Sequence, residues 1–342
     1  MRINKLPGRV RAISSFSIIL SLALFISTAN AWDRKEAKTF ALLPSSSGNT
    51  EALTADAEGN IFASTFFGGE IHSFSTTGER LKSIVVTPSS GTLTDLAFHP
   101  STGALLIIDF GGKKVLEVDP ATGSATTFSE IPGGENAGPN VMTFDAIGNV
   151  YISDSFQGTI WRIPSSGGVA QSWINHPFLT TSGFPPFAAN GIDFNNDFSK
   201  MYVANTGEDS IVQINIDSEG NAETAEILVN GVNGPDGLIV DENNNILVAA
   251  NQSNHIIVLD ATGKAITVLG DFDGINKDGV VDGLLMPADL VKIDDYIYVT
   301  NFALDLSVFG LTQSYSTQYT REVKQHSIAR IKYKPEHEKD FQ

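Results

Sequence analysis

Cysteine is absent from the 342 residues, and cationic side chains are scarce, with 22 Lys and Arg against 39 Asp and Glu and a formal charge of −17. Without cysteine there is no disulfide, no thiol nucleophile and no thiolate metal ligand. The acidic balance argues against nucleic acid or anionic lipid as a partner and favours attraction of cations. Long apolar runs are missing too. The longest, from Ala12 to Ile26, falls short of the roughly 20 residues that a membrane-spanning helix needs. No amphipathic helical stretch exceeds a turn or two.

That apolar run follows Arg2, Lys5, Arg9 and Arg11 and precedes Ala29-Asn30-Ala31, the three-part layout of a secretory signal peptide. The expectation is an exported protein, periplasmic or extracellular, that loses residues 1–31 and has no membrane attachment afterwards. Residues 32–335 then form the folded body and residues 336–342 a charged tail. An exported chain without disulfides must be held by its core and by the closure of its fold.

Six copies of one phrase organise that body: TEALTAD, LTDLAFH, PNVMTFD, ANGIDFN, PDGLIVD and PADLVKI. Each is followed by a turn and a second strand such as NIFAST, NVYISD or NILVAA. Glu51, Thr94, Asn140, Asn190, Asp236 and Ala288 share one slot, at intervals of 43, 46, 50, 46 and 52 residues, the range of propeller blades. The third unit shows four strands, with turns AIGN, SFQG and SSGG between them. The unbroken apolar character of ALLII and ILVAA fits strands buried on both faces. The last unit stops after its third strand, and a strand near Thr39 to Leu43 precedes the first unit. The fold class is therefore all-β, a six-bladed β-propeller in which the N-terminal strand completes the last blade and removes the free edges.

Closure turns the slot into a ring around the axis, and four of its six members, Glu51, Asn140, Asn190 and Asp236, carry oxygen donors. Such a set suits a hard cation, with coordination positions left for water or substrate. Calcium fits best, with Mg2+, Mn2+ or Zn2+ as other occupants. The competing reading is that Asn and Asp before Gly are turn formers, so Asn190-Gly191 and Asp236-Gly237 alone are weak signals. Glu51 has little turn preference and yet holds the same slot. Two inserts, between Trp173 and Ala189 and between Asn301 and His326, lie on the slot face. They carry Phe184, Phe187 and Tyr315, which are expected to roof a substrate pocket beside Thr94.

The phrases TEALTADAEGN, GPNVMTFDAIGNVYISD, ANGIDFNNDFSKMYVAN and GPDGLIVDENNNILVA resemble the senescence-marker-protein/gluconolactonase family, also called the regucalcin family. The likeness covers nearly the whole chain after residue 31. It implies that Glu51, Asn140, Asn190 and Asp236 ligate a divalent metal, usually calcium, and that the chemistry is metal-assisted hydrolysis of a lactone or ester. Asp236 is the candidate general base or nucleophile beside its ligand role. Gluconolactonase members carry an arginine two residues before the first Asn ligand, where this chain has Gly138, and the paraoxonase-like relatives carry histidine where Thr94 stands. These departures turn the expectation from sugar lactones towards a hydrophobic or aromatic ester or lactone, bound by a monomer. A non-catalytic binding propeller and a strictosidine-synthase-like lyase or synthase are the alternatives.

Among the six histidines only His176 lies near the expected pocket. The stretch Asp271 to Asp282 lacks calcium-loop spacing, since Ile275 falls at the third ligand position, and reads as a linker before the last blade. Asp109, Asp154, Asn205, Asn251 and Asn301 end second strands on the pocket face and read as residues that cap the following turns, with one or two of them able to reach substrate.

Overall fold

Each blade is built on four antiparallel strands, the sixth completed by a strand from before the first repeat, and the short strand Gly168–Val169 adds parallel to the outer edge of the second blade. In the third repeat the order outward from the axis is Pro139–Phe144, Val150–Asp154, Thr159–Ile163 and Gln171–Asn175. The computed structural model describes residues 34–311 and 317–334. The expected signal peptide 1–31, the tail 336–342 and Tyr315 lie outside the described residues.

Second strands such as Leu105–Asp109 and Ile246–Ala250 are buried along their whole length, as their apolar runs require. Their side chains enter the spaces between blades. Six apolar clusters result, one for each pair of neighbouring blades; for example, Tyr151, Ile160, Ile192 and Val203 join blades 3 and 4. Closure follows the same rule. Ala37–Leu42 pairs antiparallel with Ser327–Lys332 as the outermost strand of blade 6. Ala41 then packs with Leu53, Ile61 and Ile328 between blades 6 and 1. The ring is sealed by the chain's own two ends.

Aspartate begins several of the turns at the far ends of the blades. Asp56 Oδ1 accepts hydrogen bonds from the backbone N–H groups of Glu58 and Asn60, and Asp145 and Asp241 repeat the arrangement. A carboxylate that mimics a backbone turn explains why DAEGN, DAIGN and DENNN recur at this place.

The slot residue is the second residue of every innermost strand: Thr50–Ala55, Leu93–Phe98, Pro139–Phe144, Ala189–Phe194, Pro235–Val240 and Pro287–Ile293. Pairing to the second strand breaks there in all six blades, as between Pro139 and Met142. Such a bulge re-aims side chains at the top of a strand.

The same geometry removes the turn reading of Asn-Gly and Asp-Gly. Gly191 and Gly237 lie inside strands, not turns. A Cβ on Gly191 would sit 2.3 Å from the Asp236 carbonyl oxygen, and one on Gly237 2.5 Å from the Ala288 carbonyl oxygen. These glycines let neighbouring innermost strands approach closely around the axis.

The segment at 271–282 folds as a small hairpin, Phe272–Ile275 with Val281–Gly283, before blade 6.

Candidate functional site

The bulges bring the six slot residues together at the waist of the central channel. All six line an inner chamber of about 190 Å3. All but Ala288 also floor an outer cavity of about 560 Å3 that opens to solvent. Glu51, Asn140, Asn190 and Asp236 therefore share one floor, with Thr94 beside them, as the repeat register predicts.

Each of the last three donors is held from the residue that follows its own blade's second strand. Asn140 Nδ2 donates to Ser155 Oγ at 3.0 Å, and Asn190 Nδ2 to Thr206 Oγ1 at 3.1 Å. Asp236 Oδ2 accepts from Asn251 Nδ2 at 3.0 Å, and its Oδ1 accepts from Asn190 Nδ2 at 2.6 Å. Tying the amide nitrogens back leaves the amide oxygens as the free ends. Asn190 Oδ1 and Glu51 Oε2 are buried and have no hydrogen-bond partner. Orphaned buried acceptors in a closed ring are costly unless something satisfies them.

Carboxylates crowd this waist. Burial first, then Asp236, Asp289 and Asp95, raises Glu51 well above the usual carboxylate range. Burial and Asp289 push Asp236 up to about 8. Asp95 and Asp289 follow the slots of blades 2 and 6, where the sequence offers no ligand. Asp95 Oδ2 accepts from the backbone N–H of Met142 at 2.6 Å, and Asp289 Oδ2 from that of Leu53 at 3.0 Å. They pin the bulges of blades 3 and 1, where the strand register resumes. Burial raises Asp95 well above its ordinary range and pushes Asp289 up to about 6.

A divalent cation fits this donor set. Two carboxylates and two amide oxygens are hard ligands suited to calcium, two of their oxygens are orphaned, and positive charge would relieve the mutual repulsion. Among the described residues no three His, Asp or Glu side chains form a metal cluster by themselves. A cation held here would need the amide oxygens of Asn140 and Asn190 beside the two carboxylates.

The cavity wall is mostly apolar, with Thr206, Asn251 and Gln252 as its polar members. Phe187 lines it together with Pro185, whereas Phe184 does not and is 40% exposed. His176 does not line it either. It precedes the 3-10 turn Pro177–Leu179, and its Nδ1 accepts from the Phe178 N–H. Expectations for Phe184 and His176 as pocket residues are corrected accordingly: His176 caps the 3-10 turn, and Phe184 is turned to solvent rather than to the cavity. From the last insert, Leu304, Leu306 and Phe309 reach the cavity. Gly138 is covered by Phe156, whose ring a Cβ at that position would meet at 2.7 Å.

Asn251 is the one of the five strand-end residues that lines the cavity. Asp109, Asp154, Asn205 and Asn301 end their second strands and bond to nearby backbone. Asn251 stands one residue later and faces the cavity. Its position, one residue past the end of its second strand, is the position of Ser155 and Thr206 in their blades. The Asp that follows the slot in LTD and PAD was visible in the sequence.

Residues 110–270, which hold Asn140, Asn190 and Asp236, match the family described as the SMP-30/Gluconolactonase/LRE-like region. The chain contains an SMP-30/gluconolactonase/LRE-like region. Among solved structures, a luciferin-regenerating enzyme is 16% identical with a TM-score of 0.62, over 88% of this chain and 96% of its own. The calcium-binding protein regucalcin from Agrobacterium tumefaciens is 17% identical with a TM-score of 0.61, over 88% and 98%. Virginiamycin B lyase from Staphylococcus aureus is 13% identical with a TM-score of 0.54, over 74% and 78%. At such identities these likenesses establish the propeller fold alone. Among curated proteins none matches the sequence.

Proposed function

We propose that this protein is a divalent-cation-dependent hydrolase, with calcium as the natural cation, that acts on a hydrophobic lactone or ester. The observation that carries the reading is the floor shared by Glu51, Asn140, Asn190 and Asp236, two of whose buried oxygens have no partner, beneath a mostly apolar cavity. The family region that contains three of these residues supports it.

These four side chains would hold the cation, which when bound polarises a substrate carbonyl and offsets developing negative charge. The chain supplies the remainder. Asn140 and Asn190 keep their oxygens inward because Ser155 and Thr206 hold their nitrogens. Asp236, fixed on both oxygens by Asn190 and Asn251, takes the proton of an attacking water or attacks the carbonyl itself. Phe187, Leu306 and Phe309 exclude bulk water from the reacting groups.

Calcium is titrated by calorimetry into EDTA-treated protein, wild type and Glu51→Gln, and hydrolysis of lactones and aryl esters is followed with and without the ion. Binding that the substitution abolishes, together with calcium-dependent turnover, is expected. Absence of binding would remove the hydrolase reading in favour of a non-catalytic binding propeller. Asp236→Asn that keeps the ion and still hydrolyses would remove Asp236 as base or nucleophile.

A further inference from the structure

A second ring stands above the slot ring. The first residue after each second strand is Phe66 in blade 1, Phe110 in blade 2, Ser155 in blade 3, Thr206 in blade 4, Asn251 in blade 5 and Phe302 in blade 6. Chemistry divides this ring into two contiguous halves. Blades 3, 4 and 5 carry the hydroxyl and amide groups that hold Asn140, Asn190 and Asp236. Blades 6, 1 and 2 carry only phenylalanine.

The three phenylalanines form one surface. Phe66 meets Phe302 edge-on with ring centroids 5.7 Å apart and lies 6.2 Å from Phe110. Phe309, from the last insert, adds a further ring 6.4 Å from Phe66. All four line the cavity, and among the described lining residues none is cationic. Lys113 approaches Phe110, with Nζ 4.4 Å from the ring centroid, but it does not line the cavity. Glu51 lies on the phenylalanine side, and no residue of the second ring binds its side chain. Its Oε2 is left without a partner.

A packed aromatic wall that still faces a cavity is apolar surface left for a ligand to cover. Opposite it, the held oxygen donors of blades 3 to 5 take only a polar end. We infer that the site orients an uncharged, two-ended molecule. Its carbonyl end lies over blades 3 to 5 and its planar apolar end against Phe302, Phe66 and Phe110, which set selectivity. Placement of the carbonyl rests on the hydrolase reading, whereas the apolar half of the assignment does not. An anionic group, as in a sugar acid or a phosphate monoester, finds no matching side chain among the described lining residues.

Two lactones separate the halves: dihydrocoumarin, which carries a fused arene, and δ-valerolactone, the same ring size without it. With calcium present, kcat/KM is measured for both in wild type, Phe66→Leu, Phe110→Leu and Phe302→Leu, with the thermal midpoint of each variant as a folding check. Phe110 is only half-buried, so its variant is the least costly to fold. Dihydrocoumarin turnover is expected to fall on the order of tenfold, the scale of a lost apolar contact in a specificity pocket, while δ-valerolactone changes little. A parallel fall for both lactones, or no fall for either, would overturn the assignment. If wild type hydrolyses neither, dihydrocoumarin is titrated calorimetrically into wild type and the variants. Binding that the substitutions weaken keeps the aromatic half and discards the hydrolase reading; binding that they leave unchanged, or no binding to wild type, overturns the proposal.

Discussion

Asn251 reaches from the end of blade 5's second strand to Asp236 on its innermost strand, donating its Nδ2 hydrogen to Asp236 Oδ2 at 3.0 Å. The same Nδ2 lies 3.2 Å from the Pro287 carbonyl oxygen, so the contact also ties blade 5 to blade 6. Groups that orient a ligand in this way set its affinity without touching the ion. Asn251→Leu is expected to weaken calcium binding by roughly 10- to 100-fold, as read by calorimetry. Unchanged affinity would show that Asp236 needs no such support.

Proton uptake by the metal-free floor follows from its burial. Asp236 is pushed up to about 8, and Glu51 is raised well above its ordinary value, whereas in an unfolded chain both titrate near about 4. A folded value above the unfolded one means that the contribution to stability is full below the unfolded value and is lost as pH rises through the folded one. EDTA-treated protein should therefore lose thermal midpoint from about pH 4 to about pH 8. Calcium, which needs ionised ligands, should release protons on binding near neutral pH and bind more tightly as pH rises. Calorimetry in buffers of different ionisation enthalpy measures the release. A binding enthalpy independent of the buffer would contradict it.

Ring closure is testable on two adjacent residues of one strand. Ala41 is buried between blades 6 and 1, whereas Leu42 is 40% exposed. Ala41→Asp places an unpaired charge in the seam and should cost roughly 3 kcal/mol or more. Leu42→Asp should change stability by roughly 0.5 kcal/mol or less, as surface substitutions do. Urea midpoints distinguish the pair. Equal effects would mean that the seam contributes little.

Within the insert before blade 4, Phe187 lines the cavity and Phe184 does not. Phe187→Ala should lower turnover of bulky lactones by about tenfold or more, and Phe184→Ala should leave it unchanged. The reverse ranking, measured as kcat/KM on the same substrates, would place the cavity roof elsewhere.

How far the sequence reaches can be judged from the slot ring. Six phrases at near-constant spacing placed Glu51, Asn140, Asn190 and Asp236 at equivalent positions, and a closed repeat has only one axis for equivalent positions to face. Periodicity also anticipated the buried second strands and the joint made by the chain's two ends. Loops outside the repeat carry no such constraint. Phe184, Phe187 and His176 were indistinguishable by composition, and the 3-10 turn Pro177–Leu179 with the packing after it decided that only Phe187 faces the cavity. Asn251 read as one of a series of strand-end residues because its offset of one residue matters only once the strands are paired.

The sequence by itself determined the number of blades, their closure and the oxygen-donor set, because each is a property of a repeated pattern. Only the tertiary structure decided which amide oxygens are free, which carboxylates repel one another, and that phenylalanine and hydrogen-bonding residues divide the second ring into halves. Those properties depend on distances of a few ångströms between residues far apart in the chain, and no spacing along the sequence encodes them.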